Sequence, residues 1–173
     1  MADENDIISD LQLDGQSNGE DTGPSAGIIS QYIKDLSVEN PNSPDCFKWQ
    51  EAPQIDVQFN ISAQRVEDEI HEVELKVVVS AKTGAGTAYV VDLCYAGLIG
   101  MRNLDENTAH AFLFAEAPRI LFPFARRIVA DSVRDCGFTP LMLDPIDFNG
   151  LYVQQLTAQQ DQQGAQGEPV GNA

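Results

Sequence analysis

Apolar and polar residues alternate along four stretches of the first part of the chain, and a period of two marks strands with one buried face. In IISQYIKDLSVEN the alternation puts Tyr32, Leu36 and Val38 on one face and Asp35, Ser37 and Glu39 on the other, predicting a long half-buried strand. Pro41, Asn42 and Pro44 then force a turn, because proline fixes φ and removes a backbone donor. The run QIDVQFNISAQRV predicts a second strand, with Ile55, Val57, Phe59 and Ile61 opposite Asp56, Gln58 and Asn60. A third, EIHEVELKVVVSA, sets His71, Val73, Leu75, Val77 and Val79 against Glu72, Glu74 and Lys76. Gly84 and Gly86 in KTGAGT allow a hairpin, and TAYVVDLCYAGLI returns as a fourth strand with Tyr89, Val91, Leu93 and Tyr95 on one face. Four strands joined by short connections predict an antiparallel meander.

From Asp105 the period lengthens to that of a helix. DENTAHAFLFAEAPRILFPFARRIVADSVRDCG opens on capping residues, carries Phe112, Leu121, Phe124, Ile128 and Val133 three to five or more positions apart, and stops at Gly137. Pro118 and Pro123 predict a break or bend, hence a short helix followed by a longer one rich in arginine: Arg119, Arg126, Arg127 and Arg134. Asp147 can cap a last helix with Phe148, Leu151, Tyr152 and Leu156 along one stripe. The fold class is α+β: a four-stranded antiparallel meander followed by two to three helices. The Gly/Ser/Asp-rich stretch from Asp14 to Gly27 and the Gln/Gly-rich stretch from Gln154 onward hold too little apolar surface to offset chain entropy. The expected organisation is a disordered acidic tail over 1–27, one folded domain over 28–156 and a disordered tail over 157–173.

Composition fits one domain: 173 residues, 43% of them hydrophobic. No apolar run approaches the ~20 residues that span a bilayer, and MADENDIISD lacks the basic start and apolar centre of a signal peptide, so a cytoplasmic protein is expected. Cys46, Cys94 and Cys136 are an odd number at wide spacing and read as reduced, semi-buried residues. A net charge of -17 argues against nucleic acid as a partner and against anionic membranes.

Catalytic chemistry finds few candidates. His71 has the apolar parity of its strand and is expected to be a satisfied core or interface residue, and His110, near a helix start, to be solvated or capping. GAGT leads into a strand, whereas a phosphate-cradling loop needs a helix N-terminus next. The acids Glu67, Asp68, Glu69, Glu72 and Glu74 lack the ligand pattern of a calcium loop and read as a solvated edge. No catalytic residue, metal site or cofactor is expected, and the chain is not expected to be an enzyme. The strands do carry more apolar positions than two or three helices could cover, which points to self-association through a basic, apolar helix.

The segments QYIKDLSVENPNSP, TAYVVDLCYAGLI and APRILFPFARRIVADSVRDCGFTPLMLDPIDFNGLY resemble the SecB family of bacterial protein-export chaperones over about residues 28–156. The resemblance implies a homotetramer, a dimer of dimers without cofactor. It would hold unfolded precursor proteins translocation-competent in the bacterial cytoplasm and deliver them to the SecA motor, without inserting into the membrane. The alternative is a SecB-like chaperone of a toxin–antitoxin system. By resemblance the SecA-binding residues are Asp35, Glu39, Val90 and Asp92, and the client-binding groove is Ile55, Val57, Phe59, Met142, Phe148, Leu151 and Tyr152. Parity agrees for the first set, since Asp35 and Glu39 share one face, as do Val90 and Asp92. A solvated sheet face and ordinary core burial are the respective alternatives. The long acidic N-terminal extension and the Cys94–Tyr95 pair depart from the family pattern.

Overall fold

The computed structural model describes residues 23–165. Its elements are β1 (Ser25–Glu39), β2 (Gln54–Glu67), β3 (Ile70–Thr83), β4 (Gly86–Arg102), α1 (Glu106–Ala111), a π-helical turn (Phe112–Glu116), α2 (Ala117–Asp135) and α3 (Phe148–Ala165). Regular structure therefore reaches into both stretches expected to be disordered, at Ser25 in front and as far as Ala165 behind. The rest of the two expected tails lies outside the described residues.

The four strands form one antiparallel sheet in the order β1-β4-β3-β2. The expected meander therefore holds only for β2, β3 and β4. β1 crosses over to pair with β4, leaving β1 and β2 at opposite edges. The crossover runs through residues 40–53 and includes a 3-10 turn, Asp45–Lys48. At the β3–β4 hairpin, Gly86 adopts φ +146°, a conformation that side chains disfavour.

Period two assigns the two faces of β2, β3 and β4 correctly. Val77 pairs with Phe59 on one side and Leu93 on the other, so odd-numbered residues of the three strands share a face. α2 covers this face. Leu121, Ala125, Val129 and Val133, four residues apart and fully buried, pack with Leu75, Val77, Val79, Val91 and Leu93, also fully buried. Each such aliphatic side chain contributes roughly 1.5–3 kcal/mol on leaving water. Ile128 is buried as expected, but Phe124 turns outward.

β1 departs from simple alternation. Its register slips by one residue between Ile28 and Ser30 and again between Ile33 and Asp35, making Ile29 and Lys34 the extra residues of two bulges. Tyr32 pairs with Ala96, whereas Leu36 and Val38 pair with Leu93 and Val91. Tyr32 thus lies on the open face, opposite the face assigned by period two.

The expected short helix followed by a longer, arginine-rich one is present as α1 and α2, but the two are joined without a break. The helix from Glu106 to Asp135 is continuous, and its irregularity is a π turn in which the Ala117 N–H donates to the Phe112 carbonyl. Pro118 falls in the first turn of α2, and Pro123 is exposed, so its missing donor lies on the solvent side. Asp105 caps α1, accepting from the Thr108 N–H at 3.0 Å, and Asp147 caps α3, accepting from the Gly150 N–H at 3.0 Å.

Close approach of α2 to the sheet depends on Gly97, where a Cβ would come within 3.0 Å of Leu121 Cδ2. Gly97→Val should therefore overpack this contact and cost about 1–3 kcal/mol in a denaturant titration. An unchanged midpoint would show that the helix can shift without loss.

Candidate functional site

Two surfaces remain once α2 has covered the odd-numbered face. The first is the open face of the sheet. In the β1–β4 register Asp35 lies beside Cys94, Ser37 beside Asp92 and Glu39 beside Val90. The four positions expected to dock SecA are thus gathered on one face across two adjacent strands, with both β1 acids exposed. Asp92 forms a 3.4 Å ion pair with Lys76 of β3. With both partners solvated, this pair contributes little.

Beside this patch the open face carries a denser polar network. Glu72 leaves only 7% of its surface exposed, although it belongs to the acidic run expected to be a solvated edge. Its carboxylate accepts from Lys34 Nζ at 2.7 Å, from Gln64 Nε2 at 2.6 Å and from the Tyr32 hydroxyl. Lys34 also donates to Glu74. These bonds reach from β1 over β4 to β3 and β2, and the small Ala96 beneath leaves room for them. Burial raises the carboxyl pKa of Glu72, but the donors from Lys34, Tyr32 and Gln64 outweigh it and bring the value down to about 2. Burial and the same carboxylate push Tyr32 up to about 12, and burial beside Glu74 pushes the Cys94 thiol up to about 11.

The second surface is an apolar depression beside the edge strand β2, where α2 no longer covers the odd-numbered face. Phe59, Asn60, Ile61, Phe114, Ile146, Phe148, Leu151, Tyr152 and Gln155 line a cavity of about 180 Å³. Phe59, Phe148, Leu151 and Tyr152 from the expected groove meet here. Ile55, Val57 and Met142 do not line it; Ile55 and Met142 are exposed elsewhere, and Val57 packs against the core. Phe148 is buried, with its ring 5.7 Å from that of Phe122, and so forms the floor. Ile61 joins through its parity with Phe59, and Phe114 and Ile146 join through the π turn and the segment before α3.

His110 is exposed, as expected of a solvated residue, but it also makes contacts that the sequence does not suggest. His110 Nδ1 lies 2.8 Å from the Tyr152 hydroxyl, and its ring stacks on Phe114 at 4.6 Å, so it fastens α3 to the π turn. His71 keeps its parity on the covered face, but its buried Nδ1 has no hydrogen-bond partner among the described residues. Burial and then the Arg65 cation lower its pKa. Among the described residues no cluster of three His, Cys, Asp or Glu could hold a metal ion, and no helix is long and apolar enough to cross a membrane.

Because the Glu72 pKa falls from 4.5 unfolded to about 2 folded, its stabilisation is complete above pH 4.5 and is lost as the pH falls towards 2. Acid unfolding followed by circular dichroism should show this loss in the native sequence, and Glu72→Gln should remove that part of it. Parallel acid profiles for the two proteins would contradict the assignment.

Comparison with known proteins places this geometry. The family described as "Preprotein translocase subunit SecB" matches residues 19–159. A protein-export protein SecB of Erythrobacter litoralis is 60% identical over 178 aligned residues, covering 100% of both chains. That of Novosphingobium aromaticivorans is 62% identical over 175, again covering 100% of both. Among solved structures, a Mycobacterium tuberculosis SecB-like chaperone in complex with a ChAD peptide from an antitoxin matches with a TM-score of 0.57 at 16% identity, over 70% of this chain and 87% of that one. That likeness concerns the fold alone. Identity over the full length of the curated relatives decides the relationship: this chain belongs to the SecB family.

Proposed function

We propose that this SecB-family chain is an export chaperone that holds unfolded precursors against the apolar surface beside β2 and delivers them to SecA docked on the open sheet face. The observation that carries this reading is the separation of the two surfaces. Asp35, Glu39, Val90 and Asp92 share the open face by register, whereas Phe59, Leu151 and Tyr152 line a depression on the other side of the sheet. Carboxylates around one small apolar residue suit a partner with a basic surface: charge accelerates the encounter and Val90 gives up its water on contact. Aromatic and aliphatic side chains suit clients of varied sequence, because they contribute apolar burial without imposing a polar pattern.

In this reading the protein acts in the bacterial cytoplasm as a homotetramer and needs no cofactor. The relatives that match at high identity are named for protein export. The antitoxin peptide belongs to a chain only 16% identical and does not carry over.

Asp35→Lys combined with Glu39→Lys should weaken binding to purified SecA at least about tenfold, close to 1.4 kcal/mol. Binding of an unfolded precursor and the mass of the assembly should not change. Leu151, 46% exposed on the rim of the depression, can take a charge without disturbing the core, so Leu151→Asp should reduce suppression of client aggregation while sparing SecA. Unchanged SecA affinity in the first variant would sink the docking assignment, and full holding activity in the second would sink the groove.

A further inference from the structure

The acids on the open face owe their orientation to one extra residue. Ile33 pairs with Tyr95 and Asp35 with Cys94, so β1 advances two residues where β4 advances one, and Lys34 is the residue added. Without the bulge, Lys34 would pair with Cys94 and Asp35 with Leu93. Every side chain from Asp35 to Glu39 would then turn to the other face, because a one-residue shift reverses the parity of a strand. Asp35, Ser37 and Glu39 would point under the sheet, and Leu36 and Val38 would point out of it.

Apolar burial opposes that reversal only weakly, since Leu36 and Val38 remain 39% and 41% exposed. The polar network discriminates better. In the bulged register Lys34 reaches both Glu72 and Glu74. In the unbulged one it would stand opposite Cys94, whose partner on β3 is Lys76. Glu72 lies opposite Leu98, four residues away along β4, so the step along the strand lengthens the reach of the ammonium and weakens its hold on the buried carboxylate, which costs free energy. At the far end, Asn40 Nδ2 donates to the Cys136 carbonyl at 3.1 Å, so the acidic run is held on either side.

We propose that Lys34 and Glu72 are positioning residues, which lock the bulge in β1 and thereby present Asp35, Ser37 and Glu39 on the open face. The geometric part stands on the register alone; its consequence for SecA rests on the docking assignment above.

The native Cys94 provides the test. Asp35→Cys faces it as a cross-strand pair, and opposed Cβ atoms lie about 4.5–5.5 Å apart, at the upper edge of the roughly 3.5–4.5 Å of a disulfide, so that a small strand movement allows oxidative bridging. In the slipped register residue 35 lies on the opposite face and cannot bridge. Because the Cys94 thiol titrates high, copper phenanthroline is the oxidant, and the bridged peptide is identified by mass spectrometry. Lys34→Met or Glu72→Gln, added to Asp35→Cys, should lower the bridge yield at least about fivefold, and Lys34→Arg should preserve it. In chains that keep Asp35, the first two substitutions should weaken SecA binding about tenfold. Lys34 is partly exposed, so Lys34→Met gives a soluble variant if Glu72→Gln does not fold.

An undiminished bridge yield in Lys34→Met would overturn the proposal, even if the unfolding midpoint fell, because a purely stabilising contact would lower the midpoint without moving the register. Loss of the bridge with SecA affinity intact would support the positioning role and remove the docking assignment instead.

Discussion

The structure depends on the packing of α2 against β3 and β4. A four-stranded sheet has two faces, and a single helix with a stripe of Leu121, Ala125, Val129 and Val133 can dry only the middle of one of them. Everything else follows from what that stripe leaves uncovered. The even-numbered face of β2, β3 and β4, continued on β1 by Asp35, Ser37 and Glu39, is open, and on the opposite face the edge strand β2 projects beyond the helix. The first becomes a flat polar surface, and the second an apolar depression closed by the π turn and α3. Gly97 lets the helix approach closely enough for this arrangement.

Much of this is legible in the alternation of residues. β3 and β4 lie between other strands, and their apolar parity runs without interruption from Val73 to Val79 and from Tyr89 to Tyr95. The caps Asp105 and Asp147 are also legible, because each places a carboxylate three residues before the N–H it accepts from. The patch of Asp35, Glu39, Val90 and Asp92 comes from family resemblance, and strand register gathers those four positions on one face.

What alternation hides is any place where the ladder changes step. The bulges at Ile29 and Lys34 leave no mark in composition, so Tyr32 is assigned to the wrong face although Asp35 and its neighbours are grouped correctly. The strand order depends on a crossover that joins distant segments, and short connections alone suggest a meander. Proline likewise suggests a break at Pro118, where a π turn lets the helix continue. Glu72 looks solvated because its partners, Tyr32 and Lys34, lie some forty positions earlier and meet it only across β4. The depression beside β2 is partly legible: parity and stripe put Phe59 and Tyr152 on apolar faces and the family resemblance singles them out, whereas Phe114 enters only through the π turn.

Under the proposed assignment, motor docking and client holding fall on opposite sides of one sheet, so that a single chain would bind both partners at once. Simultaneous binding tests this most directly. SecA affinity measured with the protein free, and again with it saturated by an unfolded precursor, should agree within about twofold, a difference under 0.5 kcal/mol. A SecA affinity that collapses once the groove is filled would contradict the account.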